Sequence, residues 1–530
     1  MGEGKEINIP DVQHLEEVVT RLEDKSGFRD LLHEVSLHPF VFVIALVVNL
    51  SNFMYGFDNF ALSICLSIPA FQMKFGEPVE LAPGVIYYNI PAYWQSLWNA
   101  LAQVSTAIGA FIIPLVSDGL GRRYALGLSG AVCCAGVAVL YTCQTPGVFL
   151  AGKMVNAVGL GMSLTTSQTY VAEITPLKLR GFLLALQSFT LSLGVFVAVL
   201  VGYSKVNEPT EDSYRSLFAA AWAVPGLLVI IAFLIPESPL LQIQKNNVGK
   251  ARNSLRKLHR KGKDIDALLN NAIRIRQEEQ EMERVSQNMT YHECFRGSNA
   301  RRMRLVLYLN GMNQLLGSAF ASNSAYFLVS AGMSTDDISL VMRLGLGLGL
   351  GTTIINLFLM AKTRRRTLLL GGTTVCILCY LPMGIAGCFP GNSKALWAVG
   401  ILMQIASIIG VVPTYGPAMS VAAEIPQLRL KSKSLAIGFF FNYLFSAVWN
   451  TAVPYMFNRD EGNLGGKTGF IFAAASLIML AIVWLEIPET KDISYVHLDY
   501  LFQNKVPARR FMATARELQA GVTTSGANGM

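Results

Sequence analysis

Charged residues are scarce in this sequence of 530 residues. Asp, Glu, Lys and Arg together make up 15% of the chain, against roughly 25% in ordinary soluble proteins. Hydrophobic residues reach 52% and the mean hydropathy is +0.41, which is more apolar surface than a soluble protein of this size can bury. The composition therefore excludes a soluble globular protein and predicts one that crosses a membrane many times.

Residues that carry proton, metal or nucleophilic chemistry are also few. The histidines all fall outside the long apolar runs, at positions 14, 33, 38, 259, 292 and 497, which excludes a histidine proton relay inside the membrane. Most of the 8 cysteines lie in or beside apolar runs, as small buried hydrophobic residues do, and Cys376-x-x-Cys379 has no second pair. Because the sequence contains no catalytic triad, metal cluster or phosphate loop, it predicts neither an enzyme nor a cofactor.

Long apolar segments recur along the whole chain, and about 20 such residues suffice to cross a bilayer at ~1.5 Å per residue. They predict an all-α polytopic membrane protein with twelve helices, near residues 41–66, 95–116, 124–143, 148–172, 182–203, 217–235, 304–330, 337–361, 367–388, 396–422, 433–456 and 468–487. A polar stretch divides the helices into two groups of six. The expected divisions are a cytoplasmic tail (1–40), an N-terminal half (41–240), cytoplasmic helices or linker (241–302), a C-terminal half (303–491) and a second cytoplasmic tail (492–530).

Loop charges predict the orientation in the membrane. An even number of helices places both termini on one side, and the short loops on that side are basic, whereas the opposite loops contain acids. Cytoplasmic loops carry the excess of Lys and Arg, so we expect both termini and residues 241–302 in the cytoplasm. The net charge of +8 then reflects orientation rather than nucleic-acid binding. The basic run 250–263 fits contact with anionic lipid and a solvated linker equally well, and residues 1–38 are too polar and acidic for a signal peptide.

The two groups of six helices resemble each other in their polar loops. Residues 171–180 (VAEITPLKLR) recur as 422–431 (AAEIPQLRLK), and residues 236–239 (PESP) recur as 488–491 (PETK). Duplicated halves around a central site are a transporter architecture. Acids and arginines at these loop ends are expected to form charge networks that hold one conformation and release another. The candidates are Asp118, Arg122, Arg123, Glu173, Arg180, Glu237, Arg365, Arg366, Glu424, Arg429 and Glu489.

Asp58 lies inside the first apolar run, in Gly56-Phe57-Asp58. A charge deep in hydrocarbon costs at least ~2.5–3.5 kcal/mol, so this carboxylate should face the bundle interior or a wet cavity and should have a partner. Burial disfavours the charged form of a carboxyl group, so a single buried acid can load and unload protons near physiological pH. Asp58 is therefore the first candidate for ion coupling.

Polar residues within the other apolar runs are candidates for solute binding. Amides, hydroxyls and aromatic rings recognise a neutral polyol, and the candidates are Gln187, Ser188, Asn313, Gln314, Asn323, Asn442 and Tyr443. The alternative for each is hydrogen bonding between helices. Arg343 fits either a snorkelling side chain or a contact with an anionic group, which a simple sugar site does not need.

The motifs together resemble the sugar porter branch of the major facilitator superfamily, from Val41 to about Phe511. The similar pieces are residues 56–58, residues 117–123 (SDGLGRR), the loop with Glu173 and Arg180, and the PESP and PETK segments. Within this branch the sequence is most similar to fungal α-glucoside (maltose-type) permeases. That similarity rests on residues 294–297 (CFRG), 301–302 (RR), 465–469 (GGKTG), 498–502 (LDYLF) and 506–509 (VPAR).

The resemblance implies proton-coupled uptake of maltose, another α-glucoside or a hexose by alternating access, at a fungal plasma membrane. It also implies that Asp58 takes the proton and that Lys153, at the place of a family arginine, stabilises the charged carboxylate; a static ion pair is the alternative. Gly119, Leu240 and Met419 depart from the family pattern, and the amides in helix 7 are fewer. A non-sugar solute such as a secondary metabolite, and a non-transporting sugar sensor, therefore stay open, and the sequence gives no oligomeric state.

Overall fold

The computed structural model describes residues 35–82, 85–205, 210–258, 265–287, 290–330, 332–389, 392–427, 430–458, 461–491, 493 and 495–517. Within these residues, 10 helices are long and apolar enough to cross a membrane. A further helix, Leu177–Gly202, and an interrupted helix within residues 297–330 complete the twelve. The prediction of an all-α protein with about twelve membrane helices is confirmed.

We number the membrane helices in chain order. The first six are α1 (Pro39–Ser67), α2 (Ala92–Leu120), α3 (Arg122–Thr142), α4 (Pro146–Ile174), α5 (Leu177–Gly202) and α6 (Asp212–Leu234). The second six are α7 (Gly297–Leu315, Ser318–Ser322 and Ser324–Ser330), α8 (Thr335–Lys362), α9 (Arg365–Ala386), α10 (Ser393–Glu424), α11 (Lys431–Phe457) and α12 (Thr468–Leu485). We call α1–α6 the N-terminal half and α7–α12 the C-terminal half.

Shorter elements lie on both faces of this bundle. The terminal face carries the described chain ends and the helices between the halves, Pro239–Gln244, Val248–Leu258, Ile265–Gln287 and Tyr291–Phe295. The opposite face carries a short helix (Pro69–Phe75) and an antiparallel hairpin of β1 (Glu77–Ala82) and β2 (Val85–Asn89) between α1 and α2. The sequence analysis did not predict this hairpin.

The outward surface of the bundle is apolar. Large hydrophobic side chains stay exposed there, with Phe111 78% exposed, Phe440 69% and Leu234 77%. An exposed apolar belt of this extent marks a membrane-embedded surface. Since lipid offers no hydrogen bonds, helices that satisfy their own backbone groups are the structures that can occupy it.

Glycines allow α1 and α5 to pack backbone against backbone. A Cβ atom on Gly56 would lie 2.1 Å from the Leu191 carbonyl oxygen, and one on Gly194 would lie 2.0 Å from the Phe53 carbonyl oxygen. Gly109 on α2 and Gly161 on α4 meet the facing backbone in the same reciprocal way. Small residues at membrane-helix interfaces permit this close approach, and the α1–α5 contact fixes the part of α1 that carries Asp58.

A valine at Gly194 is expected to destabilise the N-terminal half by about 1–3 kcal/mol or more, because the added atoms must push α1 and α5 apart. Apparent melting temperature in detergent measures this loss. Gly226→Val is the matched control, since a Cβ at Gly226 meets no atom within 4 Å. Equal melting temperatures for the two variants would contradict the close packing.

The sequence predicted a membrane helix near residues 304–330, and the structure shows that this helix is interrupted twice. Gly317 adopts a left-handed conformation with φ +89°, which ends the first segment of α7, and a second break follows at Asn323. Side chains satisfy carbonyls at both breaks: the Tyr380 hydroxyl donates to the Leu316 oxygen at 2.9 Å, and Asn323 Nδ2 donates to the Ala319 oxygen at 2.8 Å. These bonds let α7 be irregular at membrane depth.

The second tail packs against the start of α7. Arg302, 3% exposed, forms an ion pair with Asp499, and its guanidinium lies 4.7 Å from the ring centre of Phe502. Gln427 Nε2 also donates to Asp499 Oδ1 at 3.1 Å. We call Arg302, Gln427, Asp499 and Phe502 the tail clasp; it joins two sequence segments, 301–302 and 498–502, that carried the resemblance to maltose-type permeases.

Candidate functional site

Asp58 has a charged partner inside the bundle, as the energetic cost of a charge in hydrocarbon predicts. Lys153 Nζ on α4 donates to Asp58 Oδ2 at 2.7 Å and to the Asp58 carbonyl oxygen at 3.2 Å. Asn156 Nδ2, one helical turn further on, donates to Asp58 Oδ1 at 2.8 Å. The Lys153 side chain is 7% exposed and that of Asp58 is 17% exposed. Sequence reasoning missed Asn156, although its spacing from Lys153 places both on one face of α4.

This three-residue cluster makes the α1–α4 contact depend on the charge of one carboxylate. Both oxygens of the ionised Asp58 are held by charged or polar donors from α4. A protonated Asp58 loses the charge attraction to Lys153, whose ammonium would then be buried with only carbonyl and hydroxyl oxygens as partners. Since breaking a buried pair costs about 3–5 kcal/mol, protonation can change how α1 and α4 fit together.

A cavity of about 250 Å³ lies against the Asp58 cluster. Its described lining residues come from α1, α3, α4, α5 and α6, all within the N-terminal half. Asp58 and Asn156 form its polar end. The carboxylate therefore borders a cavity and does not point into lipid.

Tyrosines from both halves lie close together inside the bundle, and the exposed surface of Tyr415 indicates an opening there. Tyr415 on α10 is 44% exposed although protein surrounds it, so its free surface faces an internal space. The Tyr55 side chain on α1 lies close to that of Gln103 on α2, and Tyr55 is close enough to Tyr415 and Tyr443 to interact with them electrostatically. We call Tyr55, Gln103, Tyr415 and Tyr443 the tyrosine cluster. It brings together helices from both halves, as a solute site in a transporter requires.

Two of the predicted binding amides keep a free polar atom. Gln187 Nε2 on α5 and Asn313 Oδ1 on α7 are buried without a hydrogen-bond partner among the described residues. Asn356 Oδ1 on α8 shares this property, and the sequence analysis missed it. Buried polar groups are normally hydrogen-bonded, so these atoms are available to a bound molecule. Ser188, beside Gln187, is exposed.

The other predicted amides are engaged in hydrogen bonds within the protein. Asn442 Nδ2 donates to the Asn310 carbonyl oxygen at 2.6 Å, which ties α11 to α7. Asn323 Oδ1 accepts from Asn99 Nδ2 at 3.3 Å, and Gln314 Oε1 accepts from the Ser318 hydroxyl at 3.0 Å. For Asn442 and Asn323 the geometry matches the interhelical alternative, whereas Gln314 bonds within α7. The role of all three in solute binding stays a prediction.

Predicted gating residues of the N-terminal half meet at the start of α3. Arg122 pairs with Asp118 at 2.6 Å and with Glu173 at 3.1 Å, and its backbone N–H donates to Glu237 Oε1 at 2.8 Å. Arg123 instead donates to the Tyr124 hydroxyl. The side chain of Arg180 lies outside the described residues.

The C-terminal half repeats this arrangement at the start of α9. Arg365 pairs with Glu424, and Glu489 accepts from the backbone N–H groups of Arg365 at 3.2 Å and Arg366 at 3.1 Å. A carboxylate at a helix N-terminus also offsets the helix dipole. Arg429 lies outside the described residues. Each described ion pair of these two networks joins residues of one half, so their predicted role in holding and releasing a conformation stays a prediction.

Hydrogen bonds between the halves cluster on the opposite face. The Tyr326 hydroxyl on α7 lies 3.0 Å from Asn89 Oδ1 and 3.1 Å from Asn458 Oδ1, and Asn458 Nδ2 donates to the Ile90 carbonyl oxygen at 3.2 Å. Asn89, Tyr326 and Asn458 are all buried. We call Asn89, Ile90, Tyr326 and Asn458 the latch, because it ties the segment after β2 to α7 and the end of α11.

Further bonds between the halves flank the latch. Ser96 on α2 donates to the Thr451 carbonyl oxygen on α11 at 2.9 Å, in addition to the Asn99–Asn323 contact. Arg343 Nη2 donates to the Tyr203 carbonyl oxygen at 3.1 Å, which ties α8 to the end of α5 and gives this arginine a structural partner. The halves are thus joined on the opposite face.

Tyr326→Phe is expected to favour opening of the opposite face. Removal of the hydroxyl takes away the hydrogen bond that it donates to a buried amide oxygen only while the latch is closed, at about 1–2 kcal/mol, or roughly a 5- to 30-fold shift. A cysteine at Ser96, buried between α2 and α11, should react faster with a membrane-impermeant maleimide in this background. Tyr93→Phe, which removes a hydroxyl from an exposed tyrosine on α2, is the control. Unchanged labelling in Tyr326→Phe would show that the latch does not keep the opposite face closed.

Two six-helix halves, a cross-half tyrosine cluster and contacts concentrated on one face define a secondary transporter of the major facilitator type. The sequence matches the family described as "Sugar (and other) transporter" over residues 44–502, and the chain belongs to this family. It is a transport protein rather than an enzyme.

Relatives and solved structures agree with this assignment. The chain is 28% identical to "MFS transporter fmqE" of Aspergillus fumigatus, over 88% of this chain and 86% of that protein. It is also 28% identical to the "General alpha-glucoside permease" of Saccharomyces cerevisiae, over 90% of this chain and 77% of that protein. The fold is similar to the inward-open xylose transporter XylE from E. coli, with a TM-score of 0.68 and 19% identity over 87% of this chain and 99% of that chain.

Proposed function

We propose that this protein takes up a sugar or small glycoside together with a proton, across a plasma membrane with both termini in the cytoplasm. The observation that carries this proposal is the Asp58–Lys153 pair, buried beside a cavity at membrane depth. Ionisable residues inside membrane helices are rare and mark substrate pathways, ion pathways or proton relays. The basic loops on the terminal face support the orientation.

Protonation of Asp58 is the step that couples the two fluxes. The ionised carboxylate binds Lys153 and Asn156 and holds α1 against α4. Once protonated, Asp58 no longer attracts the ammonium group, and α1 can shift against α4. Because Tyr55 of the tyrosine cluster lies one turn before Asp58 on α1, this shift changes the solute opening as well.

The tyrosine cluster and the free amide atoms suit a sugar. Aromatic rings pack against the apolar face of a pyranose, while Gln187 and Asn313 offer one donor and one acceptor for its hydroxyl groups. The alternating-access cycle then needs the latch to open for loading from outside and to close for release inside. The latch is closed in this conformation, which matches the likeness to an inward-open transporter.

A non-sugar solute is the second candidate. Three tyrosines at the opening, together with amides engaged between helices, provide more aromatic than polyol-binding surface. A related protein is named only as an MFS transporter, so relatives do not all point to sugars. Secondary metabolites with aromatic rings would fit such a site.

Uptake assays in fungal cells without their own sugar permeases separate the candidates. Labelled maltose, methyl α-glucoside, glucose and aromatic metabolites are offered with and without a proton gradient. Accumulation of a sugar or glucoside that collapses with a protonophore supports the proposal. Transport of aromatic metabolites alone would favour the second candidate, and sugar-dependent signalling without any flux would instead indicate a sensor.

A further inference from the structure

The cavity beside Asp58 is separate from the solute opening. Its described lining residues belong to the N-terminal half alone, whereas the tyrosine cluster draws on both halves. Its volume of about 250 Å³ is also below the roughly 300–1,000 Å³ of typical ligand sites. The cavity therefore does not act as the site for a disaccharide.

A break in α6 creates this space. α6 consists of Asp212–Ala221 and Ala223–Leu234, joined at Trp222, because Pro225 has no N–H to donate to the carbonyl four residues earlier. Trp222 Nε1 donates to the Cys134 carbonyl oxygen at 2.9 Å, which holds α6 against α3. The small side chains of Ala220 and Ala221 then leave the region between α1, α5 and α6 unfilled.

The rim of the cavity reaches the lipid-facing surface. Ala223 lines the cavity and is exposed. It shares a helix face with Leu227, Ile230 and Leu234, which are 43%, 60% and 77% exposed. A molecule dissolved in the bilayer can therefore approach the cavity without passing through the solute opening.

The walls select an apolar molecule with one hydrogen-bond donor. Phe53, Phe57 and Val197 form apolar walls, and an apolar cavity of about 150 Å³ already suffices to bind benzene. At the polar end, each Asp58 oxygen accepts one described side-chain bond and has a lone pair left for another. The carboxylate repels anions, and its pairing with Lys153 removes the attraction for cations.

We propose that this cavity is an inhibitory site for small neutral phenols, whose ring occupies the space between α1, α5 and α6 and whose hydroxyl donates to Asp58. A bound phenol stabilises the ionised carboxylate through the bond that its hydroxyl donates, so it slows protonation. It does not compete with solute, because the tyrosine cluster stays free. This inference rests on the proposed coupling role of Asp58.

Proton-driven uptake by the purified full-length protein in liposomes tests the inhibitory site. 4-Propylphenol should lower the maximal uptake rate and leave the KM for solute unchanged. 4-Propylanisole, the same molecule without its donor, should be about tenfold weaker. Competitive inhibition, or equal potency of the two compounds, would overturn the proposal.

Variants on α6 separate the cavity from general effects on the bilayer. Ala221→Phe fills the cavity and should raise the inhibitory concentration about tenfold with basal uptake retained. Ala219→Phe adds the same ring to an exposed position on the lipid-facing side of α6 and should leave inhibition unchanged. Identical inhibition of wild type and Ala221→Phe would contradict the proposed site. Val201→Phe on α5 repeats the test if Ala221→Phe does not fold.

A second readout does not depend on transport. 4-Propylphenol should raise the melting temperature of wild-type protein in detergent and should not raise that of Ala221→Phe. If no solute is taken up but this difference in stabilisation is seen, the proposed function fails while the binding site stands. If uptake is proton-driven but neither inhibition nor stabilisation depends on residue 221, the inference fails alone.

Discussion

Asp58→Asn is expected to abolish accumulation of solute against its gradient while exchange of labelled for unlabelled solute continues. Asparagine has almost the same shape as the protonated carboxyl group and still accepts a bond from Lys153, so α1 can shift against α4 and exchange continues. It carries no titratable group, so proton binding can no longer drive the cycle. We expect a stability loss of about 1–3 kcal/mol, because Lys153 loses its charged partner. Liposomes with an imposed pH gradient measure accumulation, and liposomes without one measure exchange.

The pH dependence of exchange provides the sharper measurement. In the wild type, exchange should vary with pH because Asp58 carries the coupled proton, and in Asp58→Asn this variation should disappear. Asp336→Asn is the control, since it removes an exposed acid from the first turn of α8. A variant at Asp58 that still accumulates solute would show that the proton binds elsewhere.

Asp499→Ala is expected to destabilise the C-terminal half by about 3 kcal/mol. Removal of one partner of a buried ion pair typically costs 3–5 kcal/mol, since the remaining charge is uncompensated. The lower end applies here, because the Asp499 side chain is 37% exposed while that of Arg302 is 4% exposed. Gln427 loses its acceptor at the same time. Thermal unfolding of the full chain in detergent measures the effect.

A double variant tests whether the tail clasp acts through charge. Arg302→Met with Asp499→Leu removes both charges and keeps apolar volume, and such replacements are often neutral in stability. We expect the double variant to melt above Asp499→Ala, with a coupling energy of about 1–3 kcal/mol in the cycle. Additive losses would mean that Arg302 and Asp499 contribute separately.

Sequence alone was sufficient to predict the membrane helices and a buried acid with a partner. The length and apolarity of the runs predicted the membrane segments near their observed positions, because few other structures bury so many hydrophobic residues. The cost of a charge in hydrocarbon required a partner for Asp58, and the resemblance to sugar porters pointed to Lys153. Both statements depend on large energies that local context does not override.

The tyrosine cluster and the breaks in α7 could not be predicted from the sequence, for a physical reason. Membrane helices are apolar on every side, so periodicity does not reveal which face of α10 carries Tyr415 into the opening. Tyrosine is also common in packed cores. Gly317 is one of 46 glycines, and the sequence does not show which of them breaks a helix. For the amides the ambiguity is greater, since Asn442 and Gln187 are chemically alike, yet one ties α11 to α7 and the other keeps a free donor.

The opposite face is held mainly by uncharged groups: the latch and the Ser96 and Asn99 contacts contain no ion pair. Mobile ions screen charges but leave neutral hydrogen bonds almost unaffected. On the proposed orientation this face meets the external medium, whose ionic strength a cell does not control. Closure of the outer side should therefore be nearly independent of external salinity, while the charged networks of the terminal face lie in the buffered cytoplasm.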